Sequence, residues 1–306
     1  HPEWAVAVPG RNPMLSRNQL FLDFSREDVQ DYLIERISDV LQSAPITYVK
    51  WDFNRSICDK YSHALPADRQ GEMAHRFILG LYRVLETLTR DFPQVLFEGC
   101  SGGGGRFDAG MLYYTPQIWC SDDTDAIERL QIQYGTSFGY PVSAMGAHVS
   151  AVPNHQTGRM TPLSTRGCVA MAGTFGYELD LNKLTEEEKE EISGQIRTFK
   201  EFYDCIQYGD YYRLTSPLSG SCTVWETVAP DASEALVSAV YHHVQANPVP
   251  VYVKLRGLEE KASYRLSLVG KEEEMTLSGA ALMHAGLPIP PAKGDYCAWQ
   301  IHLVRI

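Results

Sequence analysis

The stretch "YVKWDFNR", residues 48–55, decides how this chain reads. Ile46, Tyr48 and Val49 lead in as a buried strand would, and the run then ends in Lys50, Trp51, Asp52, Asn54 and Arg55. Cations on both sides of Asp52 favour its charged form. An isolated K-x-D is more often a structural ion pair than a reactive group. The functional reading therefore needs a second group, carried to the same place by another element.

Outward from this stretch, strands and helices alternate. Residues 24–44 carry an apolar stripe of Val29, Tyr32, Leu33, Ile37, Val40 and Leu41, with Ser25 as the expected N-cap and Pro45 as the stop. "ITYVKW" follows as a strand, residues 71–91 as an amphipathic helix, and "QVLFEGC" as the next strand. After a glycine-rich loop come the strand "PQIWCS" and a helix from Asp125, where Glu128 suits a capping box. "GAHVSAV", a short helix over 162–172, "GTFGYEL" and one long charged helix over 185–207 complete this part. Apolar strands alternating with helices specify a parallel sheet covered by helices. Most charged and polar motifs follow strand C-terminal ends, where such α/β folds place their active sites.

From about residue 208 the period changes to two. "DYYRLTS", "CTVWETV", "ALVSAVYHHV", "VPVYVKLRG", "SYRLSLV" and "AWQIHLVRI", broken by Gly, Pro and Asp, predict a small antiparallel β-sandwich. The expected domains are 1–207 and 208–306, with the boundary near Gln207–Asp210.

The composition, 44% apolar and 21% charged over 306 residues, is that of a globular protein. A net charge of −11, spread along the chain, argues against nucleic acid or an anionic membrane as partner. No apolar run of about 18 residues exists, so no transmembrane helix is expected. "HPEWAVAVPG" lacks the basic and apolar regions of a signal peptide, and also an initiator Met, so a fragment or processed product is expected. Seven scattered cysteines without a C-x-x-C pair suit reduced thiols and a cytoplasmic location.

The candidate partner of Asp52 lies in "CSDDTD", 120–125, at the end of another strand. Asp125 is expected to cap the following helix, which leaves Asp122 and Asp123 free for other work. Three carboxylates could also bind a divalent cation, but no D-x-D-x-D-G loop supports it, and no metal or other cofactor is expected. The four glycines of "CSGGGGRFDAG", 100–110, let backbone approach a ligand closely, although neither phosphate-loop spacing is met. Neither H-E-x-x-H nor G-x-S-x-G occurs. Carboxylates remain as the reactive groups, and a pair across a barrel mouth suits glycoside hydrolysis. Trp4, Trp51 and Trp119 offer flat faces for sugar rings.

These segments closely resemble glycoside hydrolase family 36, the bacterial and fungal α-galactosidases. The resemblance rests on "RNQLFLDFS", "YVKWDFNR", "FEGCSGGGGRFDAGMLYY", "QIWCSDDTDAIERLQIQYG", "AHVSAVPNHQTGR" and "GTFGYELDL", in the family's order up to about residue 182. It implies that Asp52 is the nucleophile and Asp122 the general acid/base. The family often has Asn where this chain has Asp123, and Met where it has Phe53. The resemblance further implies substrate contacts from Arg17, Lys50, Trp51, Asn54, Cys100, Ser101, Gly102 and Gly103, with Asn54 orienting the surroundings of the nucleophile. Arg55 and Arg106 either touch the sugar or serve as salt bridges.

The implied activity is retaining hydrolysis of terminal α-galactosyl residues from oligosaccharides such as melibiose and raffinose. The alternatives are a galactosyl transferase of the same family and an inactive sugar-binding fragment. The reading finds five parallel strands where a (β/α)₈ barrel needs eight. The expected fold is thus a partial (β/α)₈ barrel followed by the β-sandwich. The expected partners, besides α-galactosides, are a second copy of the chain or a separate N-terminal half.

Overall fold

The computed structural model of the protein describes every residue except Lys293. The chain forms two compact units, His1–Ile118 and Trp119–Ile306.

In the first unit, α1 (Glu27–Ser43), β1 (Tyr48–Asp52), α2 (Met73–Asp91), β2 (Leu96–Cys100), α3 (Ala109–Tyr114) and β3 (Gln117–Trp119) follow in turn, and β3 crosses the unit boundary. β1 and β2 pair in parallel, setting Lys50 opposite Glu98 and Asp52 opposite Cys100. β2 pairs with β3 from Glu98↔Gln117. Side chains alternate across a strand. Tyr48, Lys50 and Asp52 therefore share the exposed face of β1, while Val49 and Trp51 join the core of Phe77, Leu81, Val84, Leu85 and Leu88 from α2. α2 packs closely because Gly80 has no side chain: a Cβ there would lie 1.8 Å from the Phe24 carbonyl oxygen.

Ser25 is not the N-cap of α1. Its N–H and hydroxyl both donate to Asp23 Oδ1, at 2.9 and 2.5 Å, and the helix starts after Arg26. Two residues of sequence spacing favour this local turn over the cap.

The second unit begins with α4 (Ala126–Thr136), β4 (Met145–Ser150), α5 (Leu163–Ala170) and β5 (Thr174–Glu178). β4 and β5 pair in parallel from Gly146↔Thr174 to Ser150↔Glu178. The five parallel strands run in chain order, β1 to β5, as the half-barrel expected from the sequence. α5 is buried except at Ser164. Leu163 and Ala170 pack with Ala147 and Val149, while Cys168 and Val169 pack with Trp225 and Val240.

The single helix expected over 185–207 is two: α6 (Glu186–Glu201), opened by a Thr185/Glu188 capping box, and α7 (Tyr203–Tyr208). The break falls at Phe202, whose ring packs with Cys205, Ile206 and Leu236.

The antiparallel part comprises β6 (Asp210–Arg213), β7 (Cys222–Val228), β8 (Glu234–Tyr241), β9 (Tyr252–Val253), β10 (Ser263–Leu268), β11 (Glu274–Ser278), β12 (Leu287–Pro288) and β13 (Cys297–Arg305). Six strands form one sheet in the order β11-β10-β13-β8-β7-β6, and β9 pairs with β12 in a second. Val224, Val237, Leu266 and Leu303 of the first share a core with Val253 and Leu287 of the second. The "VPVYVKLRG" segment contributes only two residues to a strand, and β11 had no expected counterpart.

Candidate active site

Asp52 ends β1 and is exposed. The chain turns sharply after it. Phe53 N–H donates to the Cys100 carbonyl at 3.0 Å, and Ser101 Oγ donates to the Phe53 carbonyl at 2.7 Å. Arg106 Nη1 donates to the same carbonyl at 3.0 Å and to Ser101 Oγ, its guanidinium 4.0 Å from the Phe53 ring centroid. Burial lowers the proton affinity of that guanidinium. Arg106 thus anchors the turn through backbone rather than through a salt bridge.

Asn54 ties this turn to the glycine loop. Its Nδ2 donates to Asp52 Oδ2 at 2.5 Å, and its Oδ1 accepts from Gly102 N–H at 2.6 Å. Gly102 and Gly103 have φ of 53° and 74°, a left-handed conformation that suits glycine. Gly103 in turn accepts from Ser101 N–H at 3.1 Å. On the other side of Asp52, the register sets the buried Cys100 directly opposite it. Burial first, then the neighbouring Asp52, pushes the thiol up to about 12, which keeps it protonated.

Lys50, two register positions before Asp52, lies with Nζ 3.8 Å from Glu98 Oε1. Arg55 is turned away to the N-terminal segment, donating to the carbonyls of Gln19 at 2.7 Å and Met14. Of the two cations flanking Asp52 in sequence, Lys50 shares its face. Arg17 sits in the left-handed turn of residues 16–19, with φ of 51°. It lines a pocket of about 280 Å³ together with Trp51, Asp52, Asn54 and Arg55. A second pocket of about 120 Å³ reaches Asp52, Cys100, Ser101 and Arg106 over an apolar floor that includes Trp51 and Phe77. The Trp51 ring belongs to the apolar layer, not to the row of Tyr48, Lys50 and Asp52.

In the second unit, Asp122 follows β3, and its Oδ1 accepts from Trp119 Nε1 at 3.2 Å. The Trp119 ring lies tilted at 37° to His148, 4.6 Å between centroids, and the buried Arg129 lies 4.9 Å from its centre. Arg129 donates to the Gly146 carbonyl at 2.6 Å, fixing β4 to the start of α4. Asp123 is used locally, accepting from Asp125 N–H at 3.0 Å.

Asp125 caps α4 as expected, accepting from Ile127 and Glu128 N–H at 2.8 and 3.3 Å. Burial alone would raise this carboxyl, but Thr157, those amides and Arg159 hold it below the ordinary carboxylate range. Glu128 does not complete a capping box; it pairs with Arg159 at 3.2 Å. The loop holding Asn154, Thr157 and Arg159 therefore fastens the "SDDTD" turn, with Asn154 donating to Thr124 Oγ1 at 3.3 Å.

The sequence reading missed Arg129, Arg159 and Glu98. "FEGC" showed Glu98 only as one polar residue within a strand, and no spacing rule pairs it with Lys50. Among the described residues, no three of His, Cys, Asp and Glu gather as metal ligands, and no helix is long and apolar enough to cross a membrane.

A strand-end carboxylate held by an amide that is itself tied to a glycine loop, on a parallel half-barrel, suits a glycoside hydrolase. Residues 1–209 match the melibiase family, and residues 222–303 match the glycosyl hydrolase family 36 C-terminal domain. The chain belongs to this family. It is 53% identical over its whole length to α-galactosidase AgaA of Geobacillus stearothermophilus, of which it spans 41%. It is also 53% identical to the bifunctional α-galactosidase/sucrose kinase AgaSK of Mediterraneibacter gnavus, of which it spans 31%. A solved Geobacillus stearothermophilus family 36 α-galactosidase in complex with raffinose superposes over the whole chain, with a TM-score of 0.96 and 52% identity, the chain covering 42% of that structure.

Proposed function

We propose that this chain carries the reacting carboxylates of a retaining α-galactosidase acting on oligosaccharides such as raffinose and melibiose. Asp52 attacks the anomeric carbon while Asp122 protonates the departing oxygen. Asp122 then deprotonates a water, which releases galactose from the ester on Asp52. The observation that carries this reading is the Asn54 bridge, which fixes one oxygen of Asp52 and leaves its strand-end carboxylate exposed.

Lys50, Arg17 and the loop of Ser101, Gly102 and Gly103 are assigned to the sugar hydroxyls. Cys100 lies opposite Asp52 in the register, and Trp51 supplies an apolar wall of the pocket. Residues 1–207 are assigned the chemistry and 208–306 the accompanying sandwich. The active species is one in which further chain completes the barrel, because five strands do not close an eight-stranded cylinder. A cytoplasmic enzyme fits the free cysteines, and an oligomer is proposed with it.

The test is the anomer first released from an aryl α-galactoside by the barrel-completed enzyme, followed by NMR. Initial α-galactose is expected. Initial β-galactose would replace double displacement with a single inversion.

A further inference from the structure

The register sets Lys50 of β1 directly opposite Glu98 of β2, two positions before the Asp52–Cys100 pair. The Glu98 side chain is 3% exposed and that of Lys50 is 36%. A carboxylate buried this deeply needs both donors and a countercharge. Tyr48 Oη donates to Glu98 Oε2, and Lys50 supplies the charge, its Nζ 3.8 Å from Oε1. That Oε1 is buried and has no hydrogen-bond partner, so its compensation is the ammonium charge. The influence of Lys50 reaches the Cys100 thiol, which also feels Asp52. The ammonium is thus drawn towards Glu98 of β2.

Lys50 and Asp52 lie two residues apart on one face of β1, and a lysine has a long flexible stem. Without the Glu98 charge the ammonium would lose the anion that faces it across the β1–β2 register and could swing along the strand face. We propose that Glu98 is a positioning residue for Lys50: it holds the ammonium at the place where it meets the sugar. This inference rests on the galactosidase reading above and adds a residue that touches neither substrate nor the reacting atoms.

The experiment is a double-mutant cycle in the barrel-completed enzyme with an aryl α-galactoside. Glu98→Gln keeps the acceptor for Tyr48 and removes the charge. The expected result is a KM raised about tenfold, the scale of one lost charged contact, together with a lower kcat. In a Lys50→Gln background the same change is expected to add almost nothing, because its effect passes through Lys50. Equal losses in both backgrounds would show a merely structural role and overturn the proposal, as would unchanged kinetics in Glu98→Gln. If Glu98→Gln gives no soluble enzyme, Glu98→Asp carries the same cycle, since it withdraws the charge without removing it. A Lys50→Gln enzyme with unaltered KM would sink the sugar-contact assignment and this proposal with it. A wild-type completed enzyme with no turnover would sink the galactosidase reading first.

Discussion

Asn54 donates to Asp52 Oδ2 across 2.5 Å while its own carbonyl oxygen receives Gly102 N–H at 2.6 Å, so one amide fixes both the strand-end carboxylate and the glycine loop. No hydrophobic residue could take this place, since both ends of the side chain are used with opposite polarity.

Asn54→Ala removes both contacts without adding volume. The carboxylate then loses its amide donor and the loop loses its tether. A loss of about 100-fold in kcat/KM is expected, the usual scale for a small misplacement of a reacting group. Steady-state kinetics beside an unchanged circular dichroism spectrum check this. A loss below threefold would show that Asp52 is oriented by other means.

Asp122→Ala separates substrates by leaving group. Expelling a sugar needs a proton, whereas a nitrophenolate leaves nearly unaided. Raffinose or melibiose turnover should fall far more than nitrophenyl α-galactoside turnover. Equal losses would place the acid elsewhere, with Asp123 as the first alternative. The local bond of Asp123 to Asp125 N–H makes it the less available group.

Glu226 of β7 gives a pH signature away from the site. It is fully buried, its Oε2 accepts from Arg256 N–H at 3.0 Å, and its Oε1 has no partner. Burial pushes the carboxyl up to about 8. The folded state thus holds a proton that the unfolded chain releases near 4.5, so stability falls as pH rises from about 4.5 to 8 and levels off above. Glu226→Gln should flatten this trend, gaining on wild type by roughly 2–4 kcal/mol between pH 5 and 9. Thermal melts of both proteins across that range measure it. A difference independent of pH would contradict it.

Residues 1–306 expressed alone are expected to hydrolyse no aryl α-galactoside at a useful rate. β1 and β5 end the five-strand order, leaving strand edges without partners among the described residues and the sugar without contacts from the other barrel strands. Gel filtration and an aryl galactoside assay decide the matter. A soluble, monomeric and fully active product would refute the view that the barrel needs more chain.

The half-barrel was legible because its strands are apolar and its polar motifs gather at their ends, Asp52 after "YVKW" and the glycines after "FEGC". Asp125 declared itself as a cap by its place before an apolar helix. Other features depend on spatial neighbours that sequence spacing does not show. Ser25 resembles a cap until Asp23 captures it. Phe202 interrupts a continuous helical pattern because its ring is drawn into a core with Leu236. β11 carries few buried side chains, so its alternation is faint. Glu98 becomes meaningful only when the β1–β2 register sets it against Lys50. Arg129 likewise reads as an ordinary helix residue until it is found buried over Trp119.

The central claim is that Asp52 forms the covalent bond to galactose, and azide rescue of Asp52→Ala in the barrel-completed enzyme tests it most directly. Removing the carboxylate leaves room for a small anion on the face opposite the leaving group. The account predicts almost no turnover of an aryl α-galactoside without azide, and with azide restored turnover to β-galactosyl azide, seen by NMR. Near-wild-type activity of Asp52→Ala without azide would contradict it.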